Sequence, residues 1–134
     1  MLYKNPHFLI IDDDEINNFI AQMLINKMPP FANVSTCLNG QIGINFLISN
    51  LAQPQNLPDI ILLDINMPVM NGWQFLEEYQ KTILPFLNKK IIINIVSSSV
   101  SDTDITKSKS YSFVNKFISK PLTTQIVDAI FADI

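Results

Sequence analysis

Several acids, a serine and a lysine stand where short apolar runs give out. Phe8-Leu9-Ile10-Ile11 runs into Asp12-Asp13-Asp14, and Ile60-Ile61-Leu62-Leu63 ends in Asp64. Ile91–Val96 gives way to Ser97, and Phe117-Ile118-Ser119 ends in Lys120-Pro121. Acids brought to one place repel unless a cation joins them, and Mg²⁺ takes one or two carboxylates, keeps waters and accepts a phosphate oxygen. The backbone carbonyl of Asn66, just past Asp64, is a further oxygen donor. A serine hydroxyl and a compact lysine ammonium suit the oxygens of a phosphoryl group. Beside Mg²⁺, Asp64 is placed to attack as a carboxylate and form an acyl phosphate. Each piece taken alone is ambiguous: Asp12-Asp13-Asp14-Glu15 equally suits a helix N-cap, Lys120-Pro121 a solvated loop and Ser97-Ser98-Ser99 a polar turn. Their recurrence at successive strand ends favours a site.

The elements that must position these groups follow from hydrophobic periodicity. Phe8–Ile11 reads as a strand, and Ile16, Phe19, Ile20, Met23 and Leu24 share a helical face, with Pro29-Pro30 as the stop. Asn33–Leu38 reads as a second strand and Asn39-Gly40 as a turn. Ile44, Leu47, Ile48 and Leu51 stripe a second helix, closed off by Pro54 and Pro58. Ile60–Leu63 shows no alternation, so both of its faces are buried. A third helix starts near Gly72, carries Phe75, Leu76, Tyr79 and Ile83, and should fail near Pro85. Ile91–Val96 and Val114–Ile118 are further strands, separated by the polar segment Ser97–Ser112. Ile126, Val127, Ile130, Phe131 and Ile134 stripe a closing helix. Five βα units in 134 residues predict a doubly wound α/β fold with a five-stranded parallel sheet. Right-handed crossovers bring all the strand ends to one edge, where such sheets carry their ligand crevices.

Composition narrows the function. The chain is 48% hydrophobic and 16% charged, which argues for one compact domain. No apolar run approaches the ~18 residues of a membrane span, and the start from Met1 to His7 lacks a signal-peptide pattern. A cytoplasmic protein is expected. The net charge is −3, and the nine basic residues are all lysines. Without arginine's bidentate fork, direct nucleic-acid binding is not expected. Cys37 is the lone cysteine and reads as a buried structural thiol, while the lone His7 makes a poor metal ligand.

The chain resembles the receiver domain of two-component response regulators over essentially its whole length. The resemblance rests on Phe8–Asp13, on Asp64-Ile65-Asn66-Met67-Pro68-Val69-Met70-Asn71-Gly72, on Ile95–Ser99 and on Phe117-Ile118-Ser119-Lys120-Pro121. It implies a flavodoxin-like sheet of order 2-1-3-4-5 with five helices. Asp64 would be the phosphoacceptor, and Mg²⁺ would sit on Asp13, Asp64 and the Asn66 carbonyl, with Asp12 acting through water. Lys120 and Ser97 would bind the phosphoryl group, Lys120-Pro121 would be a cis bond, and Ser97 and Phe117 would form the switch. Relatives often carry tyrosine at the Phe117 position and threonine at the Ser97 position, so this switch lacks a hydroxyl on its ring.

The expected function is thus that of a single receiver with no output domain. It would take a phosphoryl group from a histidine kinase or histidine phosphotransfer protein, then bind a downstream protein or relay the group. Two alternatives compete: a constitutive adaptor with the same fold, and a phosphatase of the haloacid dehalogenase type. The latter needs an acidic residue two positions past its nucleophile, where this chain has Asn66.

Overall fold

The computed structural model describes residues 5–27 and 31–134, so the Pro29-Pro30 stop and Met1–Lys4 lie outside the described residues. Five strands alternate with five helices: β1 (His7–Ile11), α1 (Glu15–Asn26), β2 (Asn33–Cys37), α2 (Gly40–Ser49), β3 (Ile60–Leu63), α3 (Gly72–Thr82), β4 (Ile92–Ser97), α4 (Asp102–Ser108), β5 (Val114–Ser119) and α5 (Thr124–Ala132). All pairings are parallel and the order is β2-β1-β3-β4-β5, the arrangement the resemblance implies. β1 and β3 lie side by side, Ile11 opposite Leu63, so Asp12 and Asp64 leave the sheet from adjacent strands.

The sheet divides two cores. Leu9, Ile11, Ile61, Leu63, Ile93 and Ile95 face Ile44 and Leu47 of α2 and Phe75, Leu76 and Tyr79 of α3. Phe8, Ile10, Ile60, Leu62 and Val96 face Ala21 and Ile25 of α1 and Val127 and Ile130 of α5. β3 is buried along its whole length, as its unbroken apolar run predicts. Cys37 is buried, and burial pushes its thiol up to about 11, consistent with a structural role.

Several expectations are corrected. The stripe on α1 is not its core face: Ile16 is 71% exposed and Phe19 63%, with Ile20 and Met23 at 44% each. The helix instead lays Asn18, Ala21 and Ile25 on the sheet, with Leu24 packed at the margin. α1 is apolar around most of its circumference, so the largest side chains do not mark the seat. Small Ala21 and Asn18 let the helix approach closely.

Asn39-Gly40 is not a free turn but the start of α2. The Asn39 side chain accepts from the Ile42 amide at 2.9 Å, and Gly40 sits so close to Met70 that a Cβ would lie 2.8 Å from its carbonyl oxygen. Ile48 is exposed, and Ile134 lies beyond α5. Pro85 falls inside a short 3-10 turn, Leu84–Phe86, that follows α3.

Candidate functional site

Each site residue is fixed by its strand before its side chain is placed. The Asp12 amide donates to Cys37 O at 3.0 Å, the Asp64 amide to Ile11 O at 2.9 Å, and the Lys120 amide to Ser97 O at 2.8 Å. These ladder bonds tie the ends of neighbouring strands together. Asp14 caps α1, its carboxylate accepting from the Ile16 and Asn17 amides. The N-cap alternative for the acidic run therefore holds for Asp14, while Asp12 Oδ1 accepts from the Asp14 amide at 2.9 Å and leaves Oδ2 to face the site.

Asp12, Asp13 and Asp64 converge: one carboxylate oxygen of each lies within 4.8 Å of the others. Asp12 and Asp64 are buried, at 5% and 6% exposure, and Asp13 is exposed. Lys120 Nζ stands 2.7 Å from Asp12 Oδ2 and 3.5 Å from Asp64 Oδ1. Burial pushes the Asp64 carboxyl up to about 6, with the Asp12 and Asp13 carboxylates adding to the rise and Lys120 opposing it. At Lys120, burial works against the charge, but the Asp12 and Asp64 carboxylates outweigh it and hold the ammonium above its ordinary pKa. An acidic donor set of hard oxygens, two of them desolvated and covered by one lysine, fits a divalent cation of the Mg²⁺ type.

The loop after Asp64 brings α3 against it. Gly72 donates to Ile65 O at 2.8 Å, and a Cβ there would meet the Asp64 carbonyl oxygen at 2.6 Å. Val69 takes φ 70° as Met70 N donates to Pro68 O at 2.8 Å. Such a conformation is strained for a β-branched residue. Asn71 and Gln74 close a reciprocal capping box at the start of α3. Asn66 is exposed beside this loop.

Ser97 is fully buried, and its hydroxyl donates to Ser99 O at 3.2 Å while accepting from Ser99 N at 3.1 Å. It is thus engaged with its own loop rather than with Lys120. Phe117 is half-buried, pairs in register with Ile95 and packs on the α2–α3 side of the sheet. The Lys120-Pro121 bond is cis.

Two features escaped the sequence reading. Asn18 is buried and donates from Nδ2 to Asp12 O at 3.0 Å, supporting the acidic turn from below. Polarity alone could not single it out, because α1 also carries Asn17, Gln22 and Asn26; its place beside Ala21 and Ile25 on the sheet-facing side marks it. A groove of about 270 Å³ also opens from Asp64 and Lys120 between α1 and the segment after β5, lined by Ile10, Ile20, Leu62, Val96 and Leu122 among others.

Residues 8–131 match the model of the response regulator receiver domain, and the chain belongs to that family. The crystal structure of a two component response regulator from Cytophaga hutchinsonii superposes with a TM-score of 0.83 at 31% identity, covering 97% of each chain. A response regulator receiver protein from Dyadobacter fermentans gives 0.79 at 27%, covering 95% of each. The nitrate/nitrite response regulator protein NarL of Escherichia coli is 34% identical over 94 residues, which is 70% of this chain and 39% of that protein. A protein-glutamate methylesterase/protein-glutamine glutaminase of Treponema pallidum is 33% identical over 73 residues, only 17% of its length. The chain therefore spans well under two thirds of these curated relatives.

Proposed function

We propose that Asp64 accepts a phosphoryl group from a phosphohistidine of a histidine kinase or histidine phosphotransfer protein, and that the resulting charge switches partner binding or is passed on. The observation that carries this reading is the convergence of Asp12, Asp13 and Asp64 under Lys120 at adjoining strand ends. Asp13, Asp64 and the Asn66 carbonyl are assigned to Mg²⁺, with Asp12 acting through water. When bound, the cation offsets the carboxylate charge and polarises phosphoryl oxygens.

An Asp64 oxygen attacks phosphorus, the bond from phosphorus to the donor imidazole breaks, and the imidazole leaves with the electron pair. Lys120 then swings its ammonium from Asp12 to a phosphoryl oxygen, and Ser97 exchanges its Ser99 contacts for another. The added charge, roughly −1.5 to −2, is thereby read by a hydroxyl one strand away. Withdrawal of Ser97 opens room for the half-buried Phe117 ring, on the side of the sheet that carries α4.

The exposed apolar face of α1 gives the donor its seat. Ile16, Phe19, Ile20 and Met23 are exposed on α1, and Ile20 also lines the groove beside Asp64. An apolar surface of the donor protein beside its histidine would cover them. The cytoplasm, where such donors work, is the assigned compartment; no helix among the described residues is long and apolar enough to cross a membrane. Asn66 in place of a second acid disfavours a phosphatase acting on external substrates. Intact-mass measurement after incubation with acetyl phosphate tests the assignment: wild type with Mg²⁺ gains one phosphoryl group, while chelation or Asp64→Asn abolishes the gain. Equal labelling of Asp64→Asn would contradict it.

A further inference from the structure

Trp73 is the sole tryptophan and the second residue of α3. That end of α3 is joined to the phosphoacceptor loop through the Gly72 amide on Ile65 O and the close approach of Gly72 to Asp64 O. Two groups from the neighbouring segment close on the indole. Lys107 Nζ of α4 stands 4.7 Å from the ring centroid, and the Tyr111 ring stacks at 6.2 Å with 19° between planes. Glu77, one turn further along α3, faces the Tyr111 hydroxyl and, after burial, contributes to raising its pKa. Tyr111 in turn sets its edge on Phe113 at 5.8 Å, and Phe113 leans on buried Tyr79 at 5.4 Å.

α4 has little else to hold it. Ser108 is its one buried residue, and none of its side chains belongs to either core cluster. A seven-residue helix without an apolar face is marginal by itself. The turn through Tyr111 ties its end to β5, and the Trp73 clasp holds it against α3. The clasp also joins two segments with separate anchors in the site: α3 hangs from Asp64, and α4 follows directly on the Ser97–Ser99 turn.

We infer that Lys107 and Tyr111 clasp Trp73 in the unphosphorylated domain, pinning α4 to α3, and that opening this clasp is how the state of the site reaches the α4 surface. The inference rests on Asp64 being the phosphoacceptor. Drawing Ser97 toward a phosphoryl group pulls the turn that leads into α4. The stack is already near the wide end of the 4.5–7 Å range for aromatic pairs, and cation–π attraction fades beyond about 6 Å, so a small displacement suffices.

The test uses beryllofluoride with Mg²⁺ as the phosphoryl mimic, with ¹⁹F resonance to show that it is bound. Trp73 emission should shift to the red, and amide exchange across Asp102–Tyr111 should rise. Without the mimic, Lys107→Ala should speed exchange in Asp102–Ser108 by roughly two- to fivefold, the factor expected of one exposed cation–π contact. Lys107→Arg should restore it. By linkage the Lys107→Ala domain should bind beryllofluoride more tightly by the same factor, which a merely structural contact would not produce. Bound fluoride with unchanged Trp73 emission and unchanged exchange overturns the clasp and leaves Asp64 standing. Absence of any bound fluoride signal overturns the phosphoacceptor reading as well.

Discussion

Asp64 is the residue on which the chemistry turns, and its environment makes a pH signature. Its folded carboxyl is pushed up to about 6, above the ordinary value of 3.8, chiefly by burial. Between those values the folded state binds more protons than the unfolded chain. The stabilisation from protonated Asp64 is complete below pH ~4 and is lost as pH rises through about 6. The metal-free domain should therefore lose stability across pH 4–6 through this residue, by at most about 3 kcal/mol. Asp64→Asn should flatten that part of a urea-melt profile; an unaltered slope would remove Asp64 as the cause. The acids and the lysine were legible from sequence because a carboxylate or ammonium abruptly ending a buried run has no packing explanation. Which oxygen meets which partner was not legible. Lys120 holds Asp12 at 2.7 Å more closely than Asp64 at 3.5 Å, a choice set by side-chain placement at the sheet edge.

Among the elements, α3 is the one most tightly bound to the site. Gly72→Ala would drive a Cβ against backbone at Asp64 O and Ile65 Cα. It should cost more stability than Gly43→Ala, where the clash is with the movable end of Ile11. Overpacking costs about 1–3 kcal/mol, and Gly72→Ala should also slow labelling by acetyl phosphate. Paired urea melts and labelling rates check both points, and equal effects of the two glycine variants would contradict the account.

The central strands β1, β3 and β4 could be read from the sequence because buried parallel strands are short, nearly unbroken apolar runs. The edge strands β2 and β5 are half polar and left a weaker signal. α1 was misread for a physical reason: a helix apolar on several sides gives its periodicity no unique phase. Its seat was chosen by small residues and by the Asn18 amide on Asp12 O. The misread stripe is the proposed donor-docking face. Phe19→Ser should leave unfolding within about 0.5 kcal/mol and acetyl phosphate labelling unchanged, yet slow transfer from a phosphohistidine protein. Slowing of both reactions alike would place the fault in the site instead.

Taken whole, the molecule sets a folding cost against a binding site. Three carboxylates gathered at one edge of the sheet repel, and Lys120 offsets only part of that charge. A cation that binds the folded form alone adds stability, about 2.7 kcal/mol at a hundredfold excess over its dissociation constant. Mg²⁺ should raise the melting temperature of wild type, while Asp13→Asn should melt higher without metal and respond little to it. The fold makes this arrangement possible because β1, β3, β4 and β5 deliver their groups to the same edge, joined by backbone bonds between neighbouring ends.

The central claim concerns one atom group, the Asp64 carboxylate as acceptor. Borohydride reduces an aspartyl phosphate to homoserine, so peptide mapping after acetyl phosphate, Mg²⁺ and borohydride reads the acceptor directly. The account predicts homoserine at position 64 alone; homoserine at position 12 or 13 instead, or none at position 64 in fully folded protein, would contradict it.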